Sequence, residues 1–355
     1  MNILLTGGGT AGSVSPLIAI YKFLSKKQPD LSVLFVGTRH GIPEKEMTES
    51  AGMTYASIFS GKFRRYFDLR NFFDQILILI GFIQSFFVIT KFKPDIIIGA
   101  GGFVSVPVIW AGWVLKKKII IHQQDLKPSL SNILTMNLAD AITTTFEESA
   151  RFFPKKKVHW IGNPSRAELN DFHAPVGFEL DETMPIVVIV GGGTGSSFLN
   201  DFVKDNLDSL TEKFQIILIT GKNKGALTNA KKNYLSFEFL DDRILSVFKK
   251  ATVVVSRAGL STLTELSYLS KPSILVPLPN THQVVNAKYF FNHHASEYHD
   301  QVNDSAQHLL RQIDSLATDR AKQSALAANI GSLMKKNACS DMITLVLTLT
   351  GHGSN

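Results

Sequence analysis

Gly7-Gly8-Gly9-Thr10-Ala11-Gly12-Ser13 closes the apolar run Ile3-Leu4-Leu5, and Gly191-Gly192-Gly193-Thr194-Gly195-Ser196-Ser197 closes the run Ile186-Val187-Val188-Ile189-Val190. In both places a short apolar strand without alternation gives way to a glycine loop and then to helix-length sequence. Strands of this kind are buried on both faces, as in parallel sheets covered by helices. A glycine loop at a strand-to-helix step lets the backbone approach a ligand closely and turns free N–H groups toward an anion. The echo predicts an α/β chain of two doubly wound, Rossmann-like domains in tandem, with one such loop at each lip of a central cleft.

The same grammar fills both halves. Val33-Leu34-Phe35-Val36, Ile96-Ile97-Ile98 and Ile119-Ile120-Ile121 read as further buried strands of the first half. Ile216-Ile217-Leu218-Ile219, Val253-Val254-Val255 and Ile274-Leu275-Val276 are their counterparts in the second. Helical segments between them predict crossover connections. At 355 residues the chain exceeds the usual span of one core. An apolar fraction of 45% with 19% charged residues excludes a disordered chain. Cys339 is the single cysteine, which excludes an intrachain disulfide and a cysteine metal cluster. A linker is expected near Gly162-Asn163-Pro164 and along 171–185. Met1-Asn2-Ile3-Leu4-Leu5-Thr6 runs into the first loop without a leader pattern, so a cytoplasmic location is expected.

Gly7, Gly9 and Gly12 fit the spacing of a dinucleotide loop. That chemistry wants an acid at the end of the second strand to hold a ribose hydroxyl, but the strand ends in Gly37-Thr38-Arg39. A nicotinamide enzyme is therefore a minor reading, and no cofactor is expected. In the second half, Ser256-Arg257-Ala258-Gly259-Leu260-Ser261-Thr262-Leu263-Thr264-Glu265 lies between two strands. Gly259 permits a sharp turn, the hydroxyls offer caps, and the new helix would aim its positive end at a diphosphate. Glu265 falls about one turn into that helix, where a carboxylate can accept from ribose hydroxyls. Further on, Gln283 and Asn286 are three residues apart at a loop exit and share a helix face, where two amides can read sugar hydroxyls.

In order along the whole chain, these residues resemble the peptidoglycan N-acetylglucosaminyltransferase family known as MurG. The matching stretches are the Gly7–Gly12 loop, Gly61-Lys62-Phe63-Arg64-Arg65-Tyr66, Gly101-Gly102-Phe103-Val104-Ser105 and Ile121-His122-Gln123-Gln124. Gly162-Asn163-Pro164 with Arg166, Ser256–Glu265, and His282-Gln283 with Asn286 complete them. The resemblance implies the twin-domain GT-B fold. It also implies inverting transfer of N-acetylglucosamine from UDP-N-acetylglucosamine to undecaprenyl-diphospho-muramoyl-pentapeptide (lipid I), giving lipid II. It divides the chain into an acceptor and membrane-associating domain at 1–162, a UDP-sugar domain at 163–335, and a helix at 336–355 returning to the first domain.

By position, the resemblance gives Glu265 to the uridine ribose, Gln283 and Asn286 to the donor sugar, and backbone near Leu240 to the uracil. Arg166, with Thr194, Gly195 and Ser196, would contact the donor diphosphate, beside the Gly259-Leu260-Ser261 turn. Gly9, Thr10, Ala11, Gly12 and Ser13, with Gly102, Phe103 and Ser105, would form the acceptor-diphosphate side. No metal is implied in the donor site, and the chain has no Asp-x-Asp. Two departures matter. The family's loop histidine is replaced by Ser13, whose unactivated hydroxyl does not accept a proton near neutral pH. The family's Glu-Gln-Asn triplet is Gln123-Gln124-Asp125, so Asp125 or His122 is expected to take the acceptor proton.

Residues 1–160 carry 19 Lys and Arg against 11 Asp and Glu, while the remainder carries 18 against 19. A basic half on a neutral half points to an anionic partner of the first half alone. Ile76–Ile89 is a fourteen-residue apolar run interrupted by Gly81, Gln84 and Ser85, short of the roughly 20 residues that span a bilayer. Lys62, Arg64, Arg65 and Arg70 precede it and Lys91 and Lys93 follow, with Trp110, Trp113 and Lys116–Lys118 nearby. Apolar surface ringed by cations suits peripheral contact with an anionic membrane, at the cytoplasmic face. No nucleic-acid module is readable, so no nucleic acid is expected. The alternatives are a UDP-sugar epimerase or glycolipid synthase on the same fold, and a catalytically silent membrane-associated binding protein.

Overall fold

The computed structural model describes residues 1–352 apart from 10, 29, 40, 62–69, 170–174, 182, 223 and 227–230. Thr10 and the Lys62–Tyr66 stretch therefore lie outside the described residues. The chain divides into two units, one formed by Met1–Leu169 with Lys335–Asn355 and the other by Asn170–Met334.

In the first unit, strands β1 (Asn2–Thr6), β2 (Ser32–Thr38), β3 (Thr54–Ile58), β4 (Ile96–Gly99), β5 (Lys118–Gln123), β6 (Ala141–Thr144) and β7 (Val158–Trp160) form one parallel sheet. Their spatial order is β3-β2-β1-β4-β5-β6-β7, so the winding reverses between β1 and β4. Helices α1 (Ala11–Lys27), α2 (Ile42–Ser50), α3 (Arg70–Phe92), α4 (Ser105–Val114) and α5 (Leu130–Thr135) connect them. Neighbouring residues of one strand feed opposite cores. Ile3 and Leu5 meet Leu17 and Ile20 of α1, whereas Leu4 meets Ile89 of α3 and Val108 of α4. Full burial of each such side chain is worth roughly 1.5–3 kcal/mol, which explains the absence of alternation in these strands.

The second unit repeats the plan with β8 (Ile186–Val190), β9 (Gln215–Ile219), β10 (Tyr234–Phe237), β11 (Val253–Ser256), β12 (Ser273–Leu275) and β13 (Glu297–Tyr298). The order β10-β9-β8-β11-β12-β13 reverses between β8 and β11. Helices α6 (Ser197–Asp205), α7 (Leu207–Lys213), α8 (Arg243–Lys250), α9 (Leu260–Tyr268), α10 (His282–Asn292), α11 (Ala306–Thr318) and α12 (Arg320–Leu333) cover it. Leu199, Phe202, Leu210 and Leu316 bury one face of this sheet.

The division falls after Leu169 rather than after Gly162, and the reason lies in the chain's last helix, α13 (Ala338–Thr350). Its Met342, Ile343 and Val346 join the core beside α1. Both carboxylate oxygens of Glu168 accept from the Cys339 N–H at 3.0 Å, capping a helix whose own N-cap residue, Asn337, makes no side-chain cap bond. Burial raises the Glu168 pKa, and burial with the nearby Glu168 charge also raises that of the Cys339 thiol. Segment 163–169 is thereby held to the first unit.

Helix α3 is longer than the apolar run predicts, at 23 residues. Over Asp74–Phe92 it is long and apolar enough, by length and composition, to cross a membrane. The three interruptions of the run seat it on the end of β3. A Cβ on Gly81 would lie 2.0 Å from the Phe59 carbonyl oxygen, so only glycine allows this approach. Gln84 Oε1 accepts from the Phe59 N–H at 2.7 Å, and Ser85 Oγ donates to the Gly81 carbonyl at 2.6 Å. The outer face carries Ile76, Leu79, Ile80, Ile83 and Phe87 exposed to solvent, with Trp113 and Val114 exposed on the adjacent α4.

Candidate active site

In doubly wound sheets, ligands bind outside the carboxyl ends of the strands where the winding reverses. In the first unit that position lies between β1 and β4. Gly101 and Gly102 both hold positive φ, and a Cβ on Gly102 would fall 2.1 Å from the Gly8 carbonyl oxygen. The two loops therefore pack backbone against backbone, and the Phe103 ring lies over Gly9. Ser105 is fully buried and its Oγ donates to the Gly102 carbonyl at 2.7 Å, so it fixes the loop rather than facing solvent. Gly12 is exposed at the start of α1, and Ser13 is nearly buried one residue on. Ala11 is placed by its helical backbone alone.

Glu44 was not singled out from sequence, and it changes this loop. Its carboxylate is 3% exposed and accepts from the Gly9 N–H, and from the Thr38 N–H and Thr38 Oγ1 at 3.0 Å each. The Gly9 N–H is thus occupied, and the expectation that it meets an acceptor diphosphate gives way. An acid does follow the second strand, but it binds the chain's own glycine loop instead of a ribose. No sequence signal marks it, since Glu46 and Glu49 share the same helix.

The loop after β5 is held by Gln123. Its Nε2 donates to the carbonyls of Asp125 at 2.7 Å and Lys127 at 2.9 Å, while Oε1 accepts from Asn132 Nδ2 at 2.8 Å. Gln124 Nε2 ties the loop to the Ala100 carbonyl at 3.1 Å. Asp125 is thereby brought, half-buried, to the same end of the sheet as the two glycine loops. His122 is not available in the same way. It is fully buried on β5, with Nδ1 3.0 Å from Thr143 Oγ1 and Nε2 3.1 Å from Asn163 Oδ1. Burial lowers its pKa to about 4. A ring with both nitrogens engaged and no exposed surface cannot reach a substrate proton, so His122 leaves the set of candidate bases.

In the second unit, the loop after β8 rests on the loop after β9. A Cβ on Gly195 would lie 1.9 Å from the Thr220 carbonyl oxygen, whereas one on Gly192 or Gly193 would meet nothing within 4 Å. One edge of the loop is packed and the other is open to a ligand. Thr194 is exposed, and Ser196 caps α6 by accepting from the Leu199 N–H at 3.3 Å. Two lysines of the β9 loop stand beside it, neither of them marked by sequence. Lys224 Nζ is 3.1 Å from Ser197 Oγ, and Lys222 lies 5.2 Å from the centre of the half-exposed Phe239 ring. Leu240, next to Phe239, is buried.

Across the switch point, α9 begins at Gly259, which makes no side-chain cap bond and has open space where a Cβ would stand. The expected hydroxyl capping is absent: Thr264 Oγ1 donates back to the Leu260 carbonyl at 2.8 Å. Uncapped N–H groups of a first turn favour an anion. Leu260 is buried, Ser261 half-buried, and Glu265 only 4% exposed. After β12, Gln283 Oε1 accepts from the Leu278 N–H at 3.0 Å and Asn286 is fully buried. Arg257, quoted in the sequence but given no role there, organises this side. Its Nη1 donates to the carbonyls of Val276 at 2.9 Å and Pro277 at 3.2 Å, and to Gln301 Oε1. Burial lowers its pKa. Arg166 belongs to the first unit, where it opens a short 3-10 turn, Arg166–Glu168.

Comparison with known proteins matches residues 3–144 to the glycosyltransferase family 28 N-terminal domain and residues 186–343 to its C-terminal domain. The chain is 36% identical over 330 residues to a Bacillus cereus protein named UDP-N-acetylglucosamine--N-acetylmuramyl-(pentapeptide) pyrophosphoryl-undecaprenol N-acetylglucosamine transferase 2, covering 90% of this chain and 92% of that protein. A Clostridium tetani protein of the same name, without the number, is 35% identical over 352 residues and 97% of each chain. The chain belongs to the MurG family. The crystal structure of Acinetobacter baumannii MurG aligns over 98% of this chain and 99% of its own with a TM-score of 0.74 at 21% identity. UDP-N-acetylglucosamine 2-epimerase from Neisseria meningitidis shares the fold at a TM-score of 0.70 and 15% identity, over 98% of this chain and 100% of its own. The two-domain GT-B fold is thus common to MurG and to epimerases, and membership of the MurG family rests on sequence identity along both units.

Proposed function

We propose that this chain transfers N-acetylglucosamine from UDP-N-acetylglucosamine to lipid I, an undecaprenyl-diphosphate-linked muramoyl pentapeptide, forming lipid II for peptidoglycan synthesis. The observation that carries the donor half is the open edge of Gly192 and Gly193 facing the same switch point as the uncapped start of α9. The diphosphate seats on these two helix starts, with Lys222 and Lys224 adding positive charge. Glu265 takes the uridine ribose, Gln283 and Asn286 read the donor sugar, Thr194–Ser196 and Arg166 contact the diphosphate, and the backbone at Leu240 meets the uracil. On the acceptor half, the lipid diphosphate lies along Gly12, Ser13 and Gly102-Phe103, with Glu44 shaping the loop from beneath.

The reaction balances without a covalent intermediate. The acceptor hydroxyl oxygen bonds to the anomeric carbon as the bond from that carbon to the diphosphate breaks, with inversion. The bonding pair leaves on the UDP β-phosphate oxygen, and the hydroxyl proton passes to the Asp125 carboxylate. The functional test is transfer of labelled N-acetylglucosamine from the UDP donor to a short-chain lipid I analogue. Labelled product with an equal amount of released UDP is expected. Intact donor binding with no transfer above background overturns the proposal.

The acceptor's lipid accounts for the outer face of α3. Leu79 and Phe87 are 61% and 67% exposed, and Lys91 and Lys93 follow at the helix end. This face meets an anionic leaflet peripherally, at the cytoplasmic side, through apolar burial reinforced by charge. Replacing both residues in L79E/F87E removes roughly 1.5–3 kcal/mol of burial at each. Binding to anionic vesicles in a co-sedimentation assay is expected to fall about 100-fold or more, with the melting temperature unchanged because both side chains are exposed. Undiminished vesicle binding would place the membrane contact elsewhere.

A further inference from the structure

His299, Asp304 and His308 converge where the chain leaves β13 and enters α11. One ligand-type atom from each lies within 4.8 Å of the others. Asp304 Oδ2 stands 3.8 Å from His299 Nδ1 and 3.5 Å from His308 Nδ1. These are ion-pair separations for a protonated ring, longer than a good hydrogen bond, with the one carboxylate set between two imidazoles. The edges of a tetrahedron about a zinc-class ion are about 3.3–3.6 Å for ligand distances near 2.0–2.2 Å, so these groups would draw together by a few tenths of an ångström or more to seat one. A fourth donor is at hand. Gln312 lies one turn beyond His308 on the same helix, and its Oε1 accepts from His299 Nδ1 at 3.0 Å, a bond that an ion between the two atoms would replace.

The surroundings orient these donors. Gln312 Nε2 donates to the Tyr298 carbonyl at 2.9 Å, which turns the amide oxygen toward the cluster. The Asp300 N–H donates to Asp304 Oδ2 at 2.8 Å and fixes the carboxylate. His299 is fully buried with Nε2 lacking a hydrogen-bond partner, whereas the side chains of Asp304 and His308 are 31% and 41% exposed and leave an entry path. We propose that His299, Asp304 and His308, with Gln312, form a binding site for a first-row divalent transition metal of the zinc class. Two imidazoles and two oxygens favour such an ion over calcium or magnesium, which take oxygen ligands. Binding would displace the Nδ1 proton that His299 gives to Gln312 Oε1, since a ligating imidazole nitrogen carries none.

The site adjoins α6, with the His299 ring centroid 6.0 Å from that of Phe198, and would act on the fold rather than on the bond transferred. Gln301, inside the His299–Asp304 loop, accepts from Arg257, which also holds the carbonyls of Val276 and Pro277. A bound ion would pin the loop that carries this anchor.

The test titrates the full chain, free of any affinity tag, with Zn2+ by calorimetry and with Co2+ by visible absorption. One equivalent is expected to bind, with the absorption of a four-coordinate cobalt ion, and to raise the melting temperature. H308A and D304N alter half-exposed side chains, so folded variants are expected, and each should weaken binding by roughly 100-fold or more, as loss of even an outer partner costs 10–100-fold. Failure of the wild-type chain to bind one equivalent overturns the proposal. So does wild-type affinity in either variant.

Discussion

Gly193→Ala is expected to leave the chain as stable as wild type and to weaken UDP binding about ten- to hundredfold, whereas Gly195→Ala should unfold it more easily. The two residues sit two apart in one loop but face different surroundings. A Cβ on Gly193 meets nothing within 4 Å and its φ is not in the left-handed region, so the stability change should stay within about 0.5 kcal/mol. A Cβ on Gly195 would lie 1.9 Å from the Thr220 carbonyl oxygen at a φ of 73°. Left-handed backbone costs roughly 1–2 kcal/mol and the forced shift another 1–3, so a loss of about 2–5 kcal/mol is expected. Denaturant midpoints at constant slope measure the stabilities, and calorimetry measures UDP affinity. If Gly193→Ala binds UDP as well as wild type, the open edge of the loop does not carry the diphosphate.

Asp125→Asn is expected to lower kcat by roughly 10²–10⁴-fold, with KM for both substrates little changed, because a general base acts in the transition state. The fold should survive. One bond that holds this loop runs from Gln123 Nε2 to the Asp125 backbone carbonyl, which asparagine retains. Steady-state transfer kinetics decide the matter. Unchanged kcat removes Asp125 from the mechanism and, with His122 enclosed and Ser13 unable to serve, turns the search for a base to the substrate itself.

The tandem fold was legible because it depends on local pattern. Ile186–Val190 has no polar position, so only a strand covered on both faces can hold it, and the same holds for Ile96–Ile98. The glycine loops were legible for a related reason, since a strand-to-helix step that needs positive φ admits little else. The donor-site expectations came from ordered resemblance, and Glu265, Gln283 and Asn286 lie on helices α9 and α10, which follow β11 and β12 of one sheet.

What stayed illegible depends on partners distant in the chain. Glu44 is one of three glutamates on α2, and only the return of that helix beneath Gly9 distinguishes it. His122 read as a base because a histidine beside a loop looks reactive, and only Thr143 and Asn163, closing on it from two other segments, make it a buried support. Arg257 and the lysines at 222 and 224 acquire roles through Gln301, the Pro277 carbonyl and Ser197. The His299, Asp304 and His308 cluster forms only when α11 folds back on β13.

By itself, then, the sequence determined the strands, the crossover helices and the glycine turns, because burial on two faces and backbone φ are properties of a few consecutive residues. Which polar groups are enclosed, which glycine edge is open and which helix start lacks a cap were decided by tertiary structure alone. Solvent exclusion and hydrogen-bond partnership are set by side chains that arrive from elsewhere in the chain.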